Sequence, residues 1–141
     1  MVNYWAILVA AIAMMIVGWL WFGVLFRSAW SKGMGMDHMD PAKMEQMKKT
    51  MGWSYFQQFV AALITAAVLA ILVNLFALKY PGSAGLHLGL MAGFWPWLGF
   101  YLPVKWGDML WGGKSSSVTW IELSNSLVSL LVAGIIIGAW R

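Results

Sequence analysis

The sequence YWAILVAAIAMMIVGWLWFGVLF, residues 4–26, decides the fold. It contains no charged residue and closes at Arg27. A helix needs about 20 predominantly apolar residues to cross the roughly 30 Å of hydrocarbon in a bilayer. The stretch therefore predicts a membrane-spanning α-helix, and the rest of the chain repeats its character.

Three further apolar runs of similar length follow the first, at residues 55–78, 86–104 and 120–140. Pro96 lies inside the third run, where a proline removes one backbone hydrogen bond and is expected to kink the helix. The sequence thus predicts an all-α membrane protein, a four-transmembrane-helix bundle that forms one domain over residues 1–141.

The composition supports a membrane environment. Of 141 residues, 62% are hydrophobic and 10% charged, against about 25% charged in soluble domains. A soluble protein of this size leaves much of its surface in water and could not cover so much apolar area. Eleven tryptophans suit the membrane–water boundary. The net charge of +4 is scattered, whereas nucleic-acid binding needs a basic patch.

Two sequence patterns predict where helices begin. Ser54–Gln57 and Thr119–Glu122 each fit a capping box, a hydroxyl N-cap with Gln or Glu three residues later. They predict the starts of the second and fourth spans. In this interpretation the Glu122 carboxylate binds backbone N–H groups at a helix end and is favoured by the helix dipole.

The connection between the first two spans predicts a short interfacial helix over about residues 41–51. Asp40 can cap it, and Pro41 suits its first turn. Three methionines share one face at helical spacing, Met44, Met47 and Met51. We expect this helix to lie on the cytoplasmic membrane surface.

The basic residues predict the orientation of the spans. Seven lie in the two long loops: Arg27, Lys32, Lys43, Lys48, Lys49, Lys105 and Lys114. Only Lys79 and Arg141 lie on the opposite side. Because cytoplasmic loops are enriched in Lys and Arg, both long loops are expected in the cytoplasm and both termini outside the cell (inner) membrane.

Small residues recur at four-residue spacing and predict helix packing. In spans three and four they are Gly85, Gly89, Gly93, Gly134 and Gly138. Small residues let membrane helices approach closely, because lipid provides no hydrophobic force between helices. We expect these glycines to pack inside the bundle rather than to form a dedicated dimer interface.

Two parallel spans share a local pattern. GWLWFG at residues 18–23 is similar to GFWPWLG at residues 93–99, with an offset of one residue. Both spans run toward the cytoplasm in the predicted topology. The chain is therefore a candidate for two pseudo-repeated helical hairpins, as in transporters built from parallel repeats.

Several segments resemble a known family. They are residues 3–11 (NYWAILVAA), 18–23, 25–26, 29–30, 59–63 (FVAAL), 97–100 (WLGF) and 127–131 (LVSLL), with Gly134, Gly138 and Trp140. Over nearly the whole chain they resemble the bacterial family catalogued as domain of unknown function 1761. The resemblance implies a small four-helix membrane protein and brings no known activity, cofactor or substrate. Asn125–Ser126 stands where family members often carry a Tyr-His pair, so no titratable role of that histidine transfers to this chain.

The fourth span carries a polar stripe at helical spacing, formed by Glu122, Asn125, Ser126 and Ser129. Polar groups inside a membrane face the bundle interior or a wet cavity, and a buried carboxylate marks a proton or cation path. The stripe is therefore the candidate lining of a transport path. Hydrogen bonding between helices, with Glu122 as a cap, is the alternative interpretation.

One segment has the chemistry of a copper site. Thioethers and imidazole favour Cu(I), and Met34, Met36, His38 and Met39 lie close together in sequence. Methionine is equally an ordinary apolar filler of amphipathic helices. We favour the apolar interpretation, and no cofactor or metal is expected.

The pattern of reactive residues argues against an enzyme. No serine has a plausible His–Asp partner in the sequence, no glycine-rich phosphate loop follows a strand, and no carboxylate pair lies in a span; there are no cysteines. We expect a non-catalytic structural or accessory membrane component that packs into a homo-oligomer or larger complex. The alternative is a small oligomeric transporter or channel, lined by the polar face of span four.

Overall fold

A computed structural model describes residues 3–35 and 39–141, and these ranges contain helices and no β-strand. The helices are α1 (Tyr4–Leu20), α2 (Arg27–Gly33), α3 (Pro41–Lys79), α4 (Gly85–Pro96), α5 (Leu102–Trp111) and α6 (Ser116–Ala139). Two five-residue π-helical segments, Trp21–Leu25 and Trp97–Tyr101, follow α1 and α4. The second begins directly after Pro96, at the position where the sequence predicts a kink.

Within the described ranges, three stretches are long and apolar enough to cross a membrane: Tyr4–Leu25, Pro41–Lys79 and Ser116–Ala139. They correspond, within one residue at the C-terminal ends of the first and the last, to the first, second and fourth predicted spans, and they indicate a membrane protein. The third predicted span, residues 86–104, is divided among α4, the second π segment and the start of α5. None of these three pieces alone is long enough to cross.

Helix α3 corrects two predictions. Asp40 is its N-cap as predicted, because Oδ1 accepts the N–H of Ala42 at 3.2 Å. The helix, however, runs unbroken over 39 residues, so residues 41–51 are not a separate helix and Ser54 is not a cap. Gly52, at a cost of about 1 kcal/mol relative to Ala, is the only helix-disfavouring residue between the two parts. At 1.5 Å per residue α3 is about 58 Å long, nearly twice the hydrocarbon thickness.

Helix α6 also begins earlier than predicted. Ser115 is its N-cap, with Oγ accepting the N–H of Val118 at 3.3 Å. The Thr119 hydroxyl lies within the helix and donates to the Ser115 carbonyl at 3.0 Å. The predicted capping box is therefore wrong, because the serines that precede it offer an earlier cap. Glu122 is left free to bind side chains.

The core is built around α6, which contacts each of the other five α-helices, and α4 most extensively. The glycines lie in this contact. A Cβ added at Gly93 would lie 2.6 Å from the carbonyl oxygen of Leu130, and one at Gly85 or Gly89 would overlap the carbonyl of Gly138 or Gly134. The two backbones therefore touch, and side chains larger than hydrogen have no room between them.

The two ends of the bundle differ in packing. At the end that carries the termini, small and branched side chains form a continuous core of Ala6, Ile7, Ala10, Ala66, Leu69, Ala70, Val73, Leu88, Ala92, Ala133 and Ile137. The side-chain amide of Asn3, the N-cap of α1, donates to the carbonyl of Trp140 at 2.7 Å and joins the termini. At the opposite end, that of the two long loops, the helices separate.

Candidate functional site

A cavity of about 720 Å³ lies between α1, α3 and α6 at the end of the bundle that carries the long loops. This volume falls in the range of small-molecule binding sites, roughly 300–1,000 Å³. The helices that separate here supply its walls. They contribute, among others, Met14, Gly18, Trp19 and Phe22 from the first stretch, Met47, Met51, Tyr55, Gln58 and Thr65 from α3, and Tyr101 from the second π segment.

The polar stripe of the fourth predicted span faces this cavity. Glu122, Asn125, Ser126 and Ser129 all line it. Gln58 and Thr65 contribute polar lining from α3, and neither was among the predicted site residues. Their signal was present, because they are polar residues two helical turns apart in an otherwise apolar run.

Two tryptophans fix α6 beside the cavity. The indole N–H of Trp21 donates to Oγ of Ser124 at 2.9 Å. The indole N–H of Trp97 donates to Oγ of Ser126 at 2.9 Å and lies 3.2 Å from the carbonyl of Leu123. Each tryptophan is the first residue of a π segment. Ser126 therefore has both roles that were predicted for the stripe. It lines the cavity, and it accepts a hydrogen bond from Trp97 of a neighbouring segment.

Two buried polar atoms near the cavity lack a partner. Among the described residues, neither Nε1 of Trp30 nor Oδ1 of Asn125 makes a hydrogen bond, although both residues belong to the cavity wall. Buried polar atoms are paired in the large majority of cases. Unpaired groups in a cavity wall mark it as a candidate binding site.

Glu122, which lines the rim of the cavity, forms an ion cluster with two lysines that are not themselves lining residues. Its Oε2 lies 3.1 Å from Nζ of Lys105 on α5 and 3.2 Å from Nζ of Lys114, which precedes α6. The Glu122 side chain is 14% exposed, and those of the two lysines are 22% and 34% exposed. The carboxylate is therefore balanced by two ammonium groups rather than by the backbone N–H groups of a helix end.

Lys105, one residue beyond the third predicted span, stays charged in this cluster. Burial, the largest single influence, lowers its pKa, but the hydrogen bond that Lys105 donates to Glu122 and the electrostatic influences of Tyr101, Glu122 and Asp108 together raise the pKa above the usual lysine value. Its ammonium also lies 5.7 Å from the ring centroid of Tyr101, a cation–π distance. Tyr101 and Glu122, the two residues that Lys105 contacts, both line the cavity.

The cavity is closed at the end of the termini. Its lining reaches Met14, Thr65 and Leu130, and the next turn of each helix belongs to the tightly packed core, at Ala10, Leu69 and Ala133. The site is therefore a pocket that ends at the packed core rather than a passage through the bundle.

The candidate copper ligands are distributed around one connection. Met34 follows α2 and is 45% exposed, and Met39 precedes Asp40, the N-cap of α3. Met36 and His38 lie outside the described residues. The methionines that line the cavity, among them Met14, Met47 and Met51, come from other parts of the chain.

Comparison with known proteins identifies a family without an assigned activity. No curated protein and no solved structure matches the chain. One family does, under the description of a protein of unknown function (DUF1761), over residues 5–138. Since this match covers nearly the whole sequence, the chain belongs to the DUF1761 family.

Proposed function

We propose that the protein is a non-catalytic binding component of the membrane, which holds a small molecule in the cavity between α1, α3 and α6. The observation that carries this proposal is the cavity itself, about 720 Å³ within one chain and lined by the polar stripe of α6. A polar wall inside a membrane protein is costly unless water or a ligand meets it. Binding within a single chain requires no oligomer.

The proposal includes four spans, with the third formed by α4, the second π segment and the start of α5. Helical structure continues from Gly85 to Trp111 through these pieces, which supports a crossing despite the change of helical geometry at Pro96. The excess of basic residues in the two long loops supports a cytoplasmic location for them and an outside location for both termini. The cavity then opens toward the cytoplasm.

The two π segments support a pseudo-repeat of spans one and three. Trp21 and Trp97 occupy equivalent places, since each begins a π segment and each donates its indole N–H to a serine of α6. The chain is then two helical hairpins of common design. Binding sites between such repeats are frequent in transporters.

A role as an accessory subunit of a homo-oligomer or larger membrane complex fits the same proposal. The outward faces of the helices are apolar along their length, with Ile64, Val68, Ile71 and Leu75 exposed on α3. Lipid or a neighbouring membrane protein can cover such a face.

A small transporter is the second candidate function. The observation that favours it is the one-sided opening of the cavity, which is the geometry expected of one state of an alternating-access carrier. A channel formed by one chain is less compatible with the packed core, which closes the other end.

Cysteine accessibility tests the binding proposal, because the natural chain contains no cysteine. A charged thiol reagent added at the loop side should label S129C, whose residue lines the cavity. It should leave A133C unlabelled, since Ala133 is fully buried in the core. Equal labelling of the two variants would contradict an open cavity.

A filled cavity provides the matched control. At both Gly18 and Gly52 an added Cβ meets no atom within 4 Å, and only Gly18 lines the cavity. G18L should suppress labelling of S129C, whereas G52L should not. Labelling that G18L leaves unchanged would show that the reagent arrives by another route.

A further inference from the structure

We propose that the cavity binds a single-chain amphipathic anion, with its carboxylate or phosphate beside Lys105 and Lys114. Its apolar part would lie against Met14, Trp19 and Leu130. This inference rests on the proposed binding function and adds the charge and shape of the ligand.

The charges of the ion cluster support a negatively charged ligand. The cluster holds two ammonium groups, those of Lys105 and Lys114, against the single carboxylate of Glu122. Asp108 acts on Lys105 through its charge, but in the described part of the chain it makes no ion pair within 4.0 Å. Within residues 3–35 and 39–141, one positive charge of the cluster is therefore without a contacting counter-charge.

The lysines also retain free hydrogen-bond donors. An ammonium group has three N–H donors. Lys105 uses one on Oε2 of Glu122, and Lys114 contacts both oxygens of the same carboxylate. Since the two lysine side chains remain 22% and 34% exposed, an anion can bind them without displacing Glu122.

The same cluster disfavours a cation. Aromatic side chains in the wall, including Trp19, Tyr55 and Tyr101, could attract a cation through their ring faces. A ligand cation at the rim would nevertheless meet two ammonium groups around a carboxylate that they already neutralise. Repulsion between a bound cation and the neighbouring ammonium groups is strong where water is partly excluded.

The remaining wall suits an alkyl chain. Away from the stripe on α6, the lining includes four methionines, two tryptophans, Phe22 and Leu130, beside the polar side chains of Gln58 and Thr65. Methionine is flexible and fills irregular space around apolar ligands. A volume of about 720 Å³ is that of a drug-sized ligand, which one alkyl chain with its headgroup matches and a two-chain phospholipid exceeds.

The test uses undecyl probes with a terminal bromine, because bromine quenches nearby tryptophan fluorescence. The probes carry a carboxylate, a phosphate, a trimethylammonium or a hydroxyl headgroup. They are added to the full-length protein in nanodiscs of zwitterionic phosphatidylcholine. W19F removes one of two tryptophans that line the cavity, Trp19 and Trp30; quenching that persists in the double variant W19F/W30F reports partition into lipid.

We expect saturable, Trp19-dependent quenching by an anionic probe, at concentrations at least tenfold lower than for the hydroxyl or trimethylammonium probe. K105Q and K114Q should each weaken anion binding by about tenfold, the usual effect of losing one charge-assisted hydrogen bond. K79Q is the control, because Lys79 ends α3 at the opposite end of the bundle. The carboxylate and phosphate probes distinguish a fatty-acid ligand from a phosphate ester.

E122Q separates ligand binding from a structural role of the cluster. It removes the negative charge beside the lysines and should tighten anion binding severalfold, whereas a merely structural cluster would leave affinity unchanged or reduced. Equal affinity for all four headgroups, or an E122Q affinity no higher than that of the wild type, would overturn the anion inference. In G18L, whose leucine fills the cavity, we expect no saturable Trp19-dependent quenching. If wild type showed none either, with any of the four probes, the binding function itself would be overturned.

Discussion

The indole nitrogen of Trp97 lies 2.9 Å from Oγ of Ser126, and Trp21 stands in the same relation to Ser124. Both indoles project from the first residue of a π-helical segment. Such wide turns are rare in helices and frequent at functional sites. Here they aim two donors at two serines of one helix, Ser124 and Ser126, and hold the polar wall of the cavity in place.

Loss of the Trp97–Ser126 bond should destabilise the protein measurably. We expect W97F and S126A each to lower the free energy of unfolding by about 1 kcal/mol. The double variant should lose less free energy of unfolding than the sum of the two single losses, because both changes remove the same hydrogen bond. Unfolding by a denaturing detergent measures this, with W95F as the control, since Trp95 is 55% exposed. Strict additivity would show that the two groups do not interact.

The contact between α4 and α6 should tolerate no side chain at Gly89. G89A places a methyl group against the carbonyl of Gly134, and we expect a loss of about 1–3 kcal/mol or failure to fold. G99A is the matched control, since an added Cβ there meets no atom within 4 Å. Thermal unfolding in mild detergent compares them; equal stability of both variants would contradict direct backbone contact.

The ion cluster predicts a stability difference at alkaline pH. Folding raises the pKa of Lys105. The ion pair's contribution to the stability of the folded protein is therefore fully present at pH values below the usual lysine pKa of about 10.4. It disappears as the pH rises through the raised value. We expect the free energy of unfolding of wild type to exceed that of K105Q by about 1 kcal/mol or less at neutral pH. This difference should vanish at strongly alkaline pH. A difference that grows with pH would have the wrong sign.

The proposed topology predicts which positions a membrane-impermeant thiol reagent reaches in intact cells. K79C and R141C should react from outside, whereas K43C and K114C should react only after permeabilisation. The bond between Asn3 and Trp140 requires the two termini to share a side in every case. Reaction of K114C in intact cells would reverse the proposed orientation.

Local and composition-based features were predictable from the sequence. The lengths of the apolar runs follow from the thickness of the bilayer, and the Asp40–Pro41 start of α3 is encoded within one helical turn. The patterns at Ser54 and Thr119 misled because a capping box is also compatible with a helix interior when hydrogen bonding continues on both sides.

Features that depend on distant parts of the chain were not predictable. The partners of Glu122 come from α5 and from the loop before α6, so its ion pairs follow from tertiary packing rather than from spacing. The cavity likewise needs Gln58 and Thr65 to meet α6. The stripe on α6 was visible in sequence, but the space in front of it was not.

The central position of α6 has a consequence for biosynthesis. The chain is made from its N-terminus, so α6, which contacts the other five described α-helices, leaves the ribosome after them. Until it inserts, the glycines of α4 and the indoles of Trp21 and Trp97 have no partner helix. Helices α1 to α5 must therefore wait as an incomplete assembly, and truncation before α6 should leave a chain that quality-control proteases remove.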